Sequence, residues 1–230
     1  MKNYKHIYFD LDRTLWDFES NSEDTFREII KKYNLLPVID SFEKFISVYR
    51  KYNERLWRAY RDKKIEKSIL SWKRFYLSLL EFGINDIELS KKIGEDYLTI
   101  SKTKKKLFPF THEILDYLHT KYSLHIITNG FEEVQFSKLD NCDLRKYFTE
   151  IITSEKVGVQ KPKPEIFEFA LEIAKANRHE SIMIGDDVEV DIQGAMNQGI
   201  DQVHFNIINK KASTKATYEI KSLIELREIL

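Results

Sequence analysis

The sequence predicts an α/β protein with a parallel sheet and one all-helical insertion. Four short apolar runs, rich in β-branched and aromatic residues, each end in a small or polar residue, which is typical of buried strands. The segments between them have helical spacing, and strands that alternate with helices form parallel sheets joined by right-handed crossovers. At 230 residues the chain is long for a single domain, so a substantial insertion is expected.

The predicted strands lie, in chain order, at 6–9, 124–128, 150–153 and 181–184, with a fifth candidate at 202–205. Helical spacing of apolar residues follows Thr111 and Pro164, each of which is suited to the start of a helix. From about Ser20 to about Ser101 only amphipathic helical patterns occur, and the basic run at 101–106 is expected to be a solvated return linker. We therefore predict an α/β core at 1–17 and 104–230 and a helical insertion at 18–103.

Charge and cysteine content exclude several classes of protein. The 37 Lys and Arg residues balance the 37 Asp and Glu residues, so the whole-molecule positive field that non-specific nucleic-acid binding needs is absent. The single cysteine cannot form an intrachain disulfide, and no run of eighteen apolar residues occurs. We expect a soluble cytoplasmic protein, monomeric or homodimeric, without a nucleic-acid polymer or a membrane as partner.

Two carboxylates follow the first predicted strand. Asp10 and Asp12 would lie at the carboxyl edge of the sheet, where open α/β sheets bind ligands. Two carboxylates a few ångströms apart repel by about 4 kcal/mol at an effective dielectric of 20, so a bound cation or a shared proton must offset the repulsion. The alternative is a turn in which an aspartate caps the next helix.

A second acidic group follows the fourth predicted strand. Asp186 and Asp187 come directly after it, and Asp191 lies one turn further on. If the two strands are neighbours, the carboxylates converge on an all-oxygen site suited to Mg²⁺. Capping explains either acidic group alone more readily than both together.

Two further loops supply groups that complement an anion. Thr128, Asn129 and Gly130 offer a hydroxyl, an amide and a backbone that can approach an anion closely. Lys161, fixed by Pro162, offers a compact positive charge just ahead of a helix. Taken singly, Thr128 is more readily explained as a strand-end turn, and Lys161 as a charge on a surface loop.

Together, in this order and at these strand ends, the four motifs closely resemble the haloacid dehalogenase superfamily of phosphohydrolases. The resemblance implies a Rossmann-like sheet with a helical cap inserted after the first strand, and Mg²⁺ as cofactor. It implies that Asp10 is the nucleophile that forms an aspartyl-phosphate and that Asp12 is the general acid/base. The remaining implied roles are phosphate binding by Thr128, Asn129 and Lys161, metal binding by Asp10, Asp12 and Asp186, and support by Asp187 and Asp191.

The resemblance leaves two residues unassigned. Arg13 stands where smaller or acidic residues are more familiar, and Asp187 is either a ligand or a spectator. The acid at position 12 argues against halide chemistry, since the dehalogenases of the superfamily lack it. No Gly-x-Ser-x-Gly elbow, His-Glu-x-x-His pair or Gly-x-x-x-x-Gly-Lys loop points to another enzyme class.

The substrate is expected to be a small phosphorylated metabolite. The residues around Asp10 and Thr128 are similar to the bacterial pyrimidine 5′-nucleotidase branch, which implies a nucleoside monophosphate. Trp16, with Phe18, is the candidate for stacking on a nucleobase. The alternatives are a phosphatase for phosphoglycolate or sugar phosphates, a sugar phosphomutase, and a non-catalytic module that binds Mg²⁺ or a phosphorylated ligand. The insertion adds further aromatic faces that could stack on a base, at Trp57, Tyr60, Trp72, Phe75 and Tyr76. Aromatic residues at helical spacing more often form the core of such a unit, and we expect this of Trp72, Phe75 and Tyr76.

Overall fold

The structure, a computed structural model, describes residues 3–207 and 215–230 and divides into two compact units. The first comprises Met1–Phe18 and Lys105–Leu230, and the second is Glu19–Lys104. Residues 1–2 and 208–214, which the sequence-based core assignment includes, lie outside the described residues. That the second unit is a cap, with bounds at 18 and 103, stays a prediction.

The first unit is built on one parallel sheet, which confirms the predicted α/β class. Its order is β3-β2-β1-β4-β5-β6, so β1 lies between β2 and β4. The strands are β1 His6–Phe9, β2 Ser123–Thr128, β3 Phe148–Thr153, β4 Ser181–Gly185, β5 Asp201–Phe205 and β6 Tyr218–Ile220. All the pairings are parallel, so the carboxyl ends of the strands meet at one edge.

The second unit is all-helical. Its helices are α1 Phe18–Lys32, which starts one residue before the unit boundary, α2 Phe42–Arg61, α3 Lys67–Leu80 and α4 Ile87–Ser101. They bury a core around Phe26, whose ring lies 4.4 Å from that of Tyr49 and 5.1 Å from that of Tyr97. Of the aromatic residues considered above, Phe75 belongs to this core, whereas Trp72 and Tyr76 are half-buried.

Within residues 3–207 and 215–230, five further α-helices flank the sheet. They are α5 Thr111–Leu118, α6 Glu132–Asn141, α7 Ser154–Val157, α8 Pro164–Ile173 and α9 Gly194–Asn197. Successive residues of β1 face opposite cores: Ile7 and Phe9 pack into one cluster, and Tyr8 packs into the other. Because both faces are covered, the strands are continuous apolar runs. Among the described residues, every helix is too short or too polar to span a bilayer.

A pair of antiparallel segments lies where the chain leaves and re-enters the first unit. Trp16 and Leu107 form an antiparallel bridge, the Asp17 amide donates to the Lys106 carbonyl at 3.1 Å, and the Phe108 amide donates to the Leu15 carbonyl at 3.0 Å. The basic run expected to be a solvated linker is therefore partly structured, because α4 includes Ser101 and Lys106 takes part in this pairing.

Candidate active site

The candidate site lies at the carboxyl ends of β1, β2 and β4. Phe9, the last residue of β1, is in register with Ile126 of β2 and Ile184 of β4. The residues that follow these three strands therefore emerge side by side. Sheet geometry thus explains why motifs far apart in sequence meet at one edge.

Three carboxylates converge at this edge. One oxygen each of Asp10, Asp186 and Asp191 lies within 4.8 Å of the others, an arrangement that could hold a metal ion. Asp10 is only 8% exposed, Asp191 is buried and Asp186 is half-buried. Oxygen ligands alone, all of them hard carboxylates, suit Mg²⁺ rather than a softer metal. The residues present therefore fit the predicted cofactor.

Burial raises the pKa values of all three carboxyl groups. It raises the pKa of Asp10 to about 7, with Lys161 opposing the shift and the neighbouring carboxylates adding to it. Burial and the charges of Asp191 and Asp10 hold the pKa of Asp186 well above its ordinary value, and burial likewise raises the pKa of Asp191. Concentrated negative charge is therefore costly here, and a divalent cation would relieve that cost.

Lys161 supplies one positive charge to this group. Its Nζ donates to Asp10 Oδ1 at 2.8 Å and to Asp191 Oδ1 at 2.6 Å, and the residue is 1% exposed. Although burial would lower the pKa of Lys161, the two carboxylates raise it above its ordinary value. The lysine is therefore charged, and it holds the first and fourth motifs together.

Asn129 fixes the backbone that carries Lys161. Its Nδ2 donates to the Lys161 carbonyl at 3.0 Å, and its Oδ1 accepts from the Lys161 amide at 2.8 Å. The bond between Lys161 and Pro162 is cis. The Asn129 amide is thus already paired with protein, and its predicted contact with phosphate stays a prediction.

Asp12 lies near the group but has its own partners. Its Oδ2 accepts from Gln135 Nε2 at 2.8 Å, and its Oδ1 accepts from Lys138 Nζ at 2.5 Å. It is not among the three converging carboxylates, so its predicted role as a metal ligand stays a prediction. Sequence analysis missed both partners; one signal was available, their spacing of three residues on α6, directly after the Thr128 motif.

Thr128 joins the same network. Its Oγ1 accepts from Gln135 Nε2 at 2.6 Å and from the Gly130 amide at 3.1 Å. A Cβ atom at Gly130 would lie 2.2 Å from Gln135 Nε2, so only glycine lets the glutamine side chain pass. Gly130 thus accommodates a neighbouring side chain, and the predicted close approach of its backbone to an anion stays a prediction.

The structure does not support stacking of Trp16 on a nucleobase. The residue is 1% exposed and belongs to the core of the first unit. Lys138 Nζ lies 3.9 Å from the centroid of its ring, and the Phe18 ring packs edge-on at 6.3 Å. Trp16 therefore contacts Lys138, a partner of Asp12, from within the core.

Asp187 and Asp191 organise the loop after β4. Asp187 Oδ1 accepts from the amides of Glu189 and Val190, each at 2.9 Å, and so caps the helical segment Val188–Gln193. The Asp187 amide donates to Asp191 Oδ2 at 3.1 Å. Asp187 therefore acts on the loop backbone in this structure, while Asp191 joins the loop to Lys161. Arg13 is exposed, with its guanidinium 4.2 Å from the Phe18 ring centroid.

Comparison with known proteins agrees with this architecture. A family profile described as haloacid dehalogenase-like hydrolase matches residues 7–205. The chain is 29% identical to the HAD-hydrolase YfnB of Bacillus subtilis, covering 100% of this chain and 97% of YfnB. The crystal structure of YfnB bound to magnesium superimposes with a TM-score of 0.91 at 28% identity, covering 100% of this chain and 99% of that one.

Two of the relatives are named for pyrimidine nucleotides. The pyrimidine 5′-nucleotidase PynA of Streptococcus pneumoniae is 29% identical, over 99% of this chain and 95% of PynA. The pyrimidine 5′-nucleotidase YjjG of Escherichia coli is also 29% identical, over 97% of this chain and 96% of YjjG. The resemblance inferred from the four motifs is thus confirmed over nearly the whole chain.

Proposed function

The chain belongs to the haloacid dehalogenase-like hydrolase family, and from this premise we propose that it is a Mg²⁺-dependent phosphatase that hydrolyses pyrimidine nucleoside monophosphates. The observation that carries the proposal is the buried Lys161 ammonium between Asp10 and Asp191, beside Asp186. One lysine does not neutralise three carboxylates. A divalent cation completes the balance of charge, because three carboxylates, one ammonium and one Mg²⁺ sum to zero.

The metal has a defined place in this proposal. Asp10 and Asp186 would hold Mg²⁺, while Asp191, whose two oxygens accept from Lys161 and the Asp187 amide, would support them. When bound, Mg²⁺ supplies positive charge that offsets the carboxylates and the phosphoryl oxygens.

The side chains then divide the reaction between them. An Asp10 oxygen attacks phosphorus in line, the ester P–O bond breaks, and the departing oxygen takes a proton from Asp12. In the second step Asp12 takes a proton from water, whose oxygen attacks the phosphorus and releases the Asp10 carboxylate. Lys161 places its charge beside the nucleophile, which reduces the repulsion between a carboxylate and a phosphate dianion.

The choice of nucleotide rests on sequence rather than on a described pocket. The residues that flank Asp10 and Thr128 resemble the nucleotidase branch, and both PynA and YjjG are named for pyrimidine nucleotides. Burial of Trp16 removes one predicted contact with the base but does not change the proposed reaction.

The test is a phosphate-release screen with and without Mg²⁺. UMP, dUMP and dTMP are compared with sugar phosphates and phosphoglycolate, and isomer formation is measured for each sugar phosphate. We expect Mg²⁺-dependent release, fastest from a pyrimidine nucleotide. Much faster turnover of a sugar phosphate or phosphoglycolate would overturn the nucleotide assignment, and an isomer in place of free phosphate would indicate a mutase.

The same screen on Asp10→Asn tests the catalytic mechanism. Release by this variant should fall to background, because an amide cannot form the aspartyl-phosphate. Activity that survives in a preparation free of other phosphatases would refute covalent catalysis. Binding of Mg²⁺ without turnover of any substrate by the wild type would point to a non-catalytic module.

A further inference from the structure

One helix, α6, donates two side-chain hydrogen bonds to the Asp12 carboxylate. Gln135 and Lys138 lie one turn apart on α6, and each donates to a different oxygen of the Asp12 carboxylate. We propose that Lys138 and Gln135 are positioning residues that hold the general acid/base in its working orientation. The inference rests on the proposed phosphatase function and deepens it.

The lysine contact is costly to form, which separates it from an ordinary surface ion pair. The Lys138 side chain is 6% exposed, and burial of an ammonium is unfavourable unless it is well paired. Its pairing is one carboxylate oxygen at 2.5 Å and one face of the Trp16 ring at 3.9 Å. An indole face attracts a cation most strongly when both are removed from water.

Trp16 is itself fixed by the loop that carries Asp12. Asp12 and Trp16 form a backbone bridge, and the Arg13 amide donates to the Trp16 carbonyl at 2.9 Å. The indole, the ammonium and the carboxylate are therefore linked in a closed series of contacts. Trp16 thus acts on the reaction through Lys138 rather than through the substrate.

Gln135 extends the series to the phosphate-binding motif. Its Nε2 donates both to Asp12 Oδ2 and to Thr128 Oγ1, at 2.8 and 2.6 Å, and the residue is completely buried. One amide therefore sets the separation between the proton-transfer group and the predicted phosphate-binding hydroxyl. A shift of a catalytic group by about 1 Å can cost roughly a hundredfold in rate.

This role has a kinetic signature that simple loss of stability would not produce. An alkyl oxygen needs a proton as it departs, whereas p-nitrophenolate leaves readily without one. The value of kcat/KM covers the steps up to and including phosphoryl transfer to Asp10. Of the two proton transfers made by Asp12, it therefore reports the first, in which Asp12 acts as an acid. A misplaced Asp12 should slow an alkyl phosphate ester and spare an aryl one.

The experiment measures kcat/KM for UMP and for p-nitrophenyl phosphate, or another aryl phosphate that the wild type hydrolyses. For Lys138→Met we expect kcat/KM for UMP to fall about tenfold or more, which is part of the roughly 10²–10⁴-fold that general acid catalysis provides. For the aryl ester we expect kcat/KM to fall less than about twofold. Lys138→Arg should recover part of the loss, and Trp16→Leu should shift the ratio in the same direction. Lys146→Met, which removes an exposed lysine paired with Asp143, is the matched control.

The outcomes separate the two proposals. Suppose that Lys138→Met lowers kcat/KM equally for the two substrates, or for neither, while the activity of the wild type is lost in Asp10→Asn. The positioning role is then wrong and the phosphatase proposal stands. If Asp10→Asn retains activity, or the wild type releases no phosphate from any ester, the proposed function itself fails. Thermal unfolding of each variant identifies one that is not folded, and Lys138→Arg or Trp16→Leu then decides.

Discussion

Replacing Lys161 with methionine tests the electrostatics of the site directly. The change removes the ammonium that bonds Asp10 at 2.8 Å and Asp191 at 2.6 Å and leaves a side chain of similar length. Two buried carboxylates then lose their shared cation. Breaking a buried ion pair by removing one partner costs about 3–5 kcal/mol, because the remaining charge is uncompensated.

That free energy corresponds to a large shift in unfolding temperature. For a chain of this size each kcal/mol moves the midpoint by about 2–4 °C, so a decrease of about 6–20 °C is expected for the metal-free variant at pH 8. Lys146→Met, at an exposed ion pair, should leave the midpoint unchanged. The assay is thermal unfolding followed by circular dichroism, without and with Mg²⁺.

The loss of stability should depend on pH in a definite direction. Burial already holds the pKa of Asp10 at about 7 in the wild type, and loss of the ammonium raises it further. The folded variant then binds more protons than the unfolded chain above about pH 4, so its stability rises as pH falls. The difference from the wild type should be largest near pH 8 and shrink toward pH 5. A difference that is small, or equal at both pH values, would refute the reasoning.

Three further predictions concern the same edge of the sheet. Gly130→Ala should lower kcat/KM for UMP by about tenfold with little change in secondary structure, because the new Cβ would lie 2.2 Å from Gln135 Nε2 and displace that side chain. An unchanged value would show that the contacts of Gln135 with Asp12 and Thr128 are dispensable. The affinity for Mg²⁺, measured by calorimetry, should fall by up to about tenfold per pH unit below pH 7, since Asp10 must lose its proton to bind the ion; a constant affinity between pH 8 and pH 6 would contradict this. Asp186→Asn should raise the unfolding temperature of the metal-free protein and abolish the stabilisation by Mg²⁺, because carboxylate oxygens within 4.8 Å of one another repel by at least about 3 kcal/mol at an effective dielectric of 20 when both are ionised. A decrease without metal would mean that another interaction of Asp186 dominates.

Sequence patterns located the strands that position the site. The predicted strand at 6–9 has the bounds of β1, because an apolar run buried on both faces is unmistakable. The predicted strand at 150–153 begins two residues late, since Thr149 is polar and exposed and separates Phe148, the first residue of β3, from the apolar run. β6 was not predicted, because three residues that include an exposed glutamate carry no periodic signal.

The candidate site was predictable where it follows strands and unpredictable where it depends on packing. Asp10, Thr128 and Asp186 lie at strand ends, so parallel pairing alone brings them together. Gln135 and Lys138 are polar residues on a helix, and such residues usually face solvent; only the folded structure shows both of them buried. Trp16 was misassigned for the opposite reason, since nearness in sequence to Asp12 does not reveal which side of the loop an indole occupies.

The antiparallel pairing of Trp16 with Leu107 has a consequence for how such proteins diversify. Backbone hydrogen bonds that belong to the first unit already bring together the two ends of the helical segment. A replacement segment of different length would need only ends one strand spacing apart, and closing a longer loop adds little entropic cost. The pairing is therefore a position at which one inserted segment could be exchanged for another. Exchange of the inserted segment there would leave the turn that carries Asp10 and Asp12 intact, so the same strand-end carboxylates can be combined with inserted segments of different length and sequence.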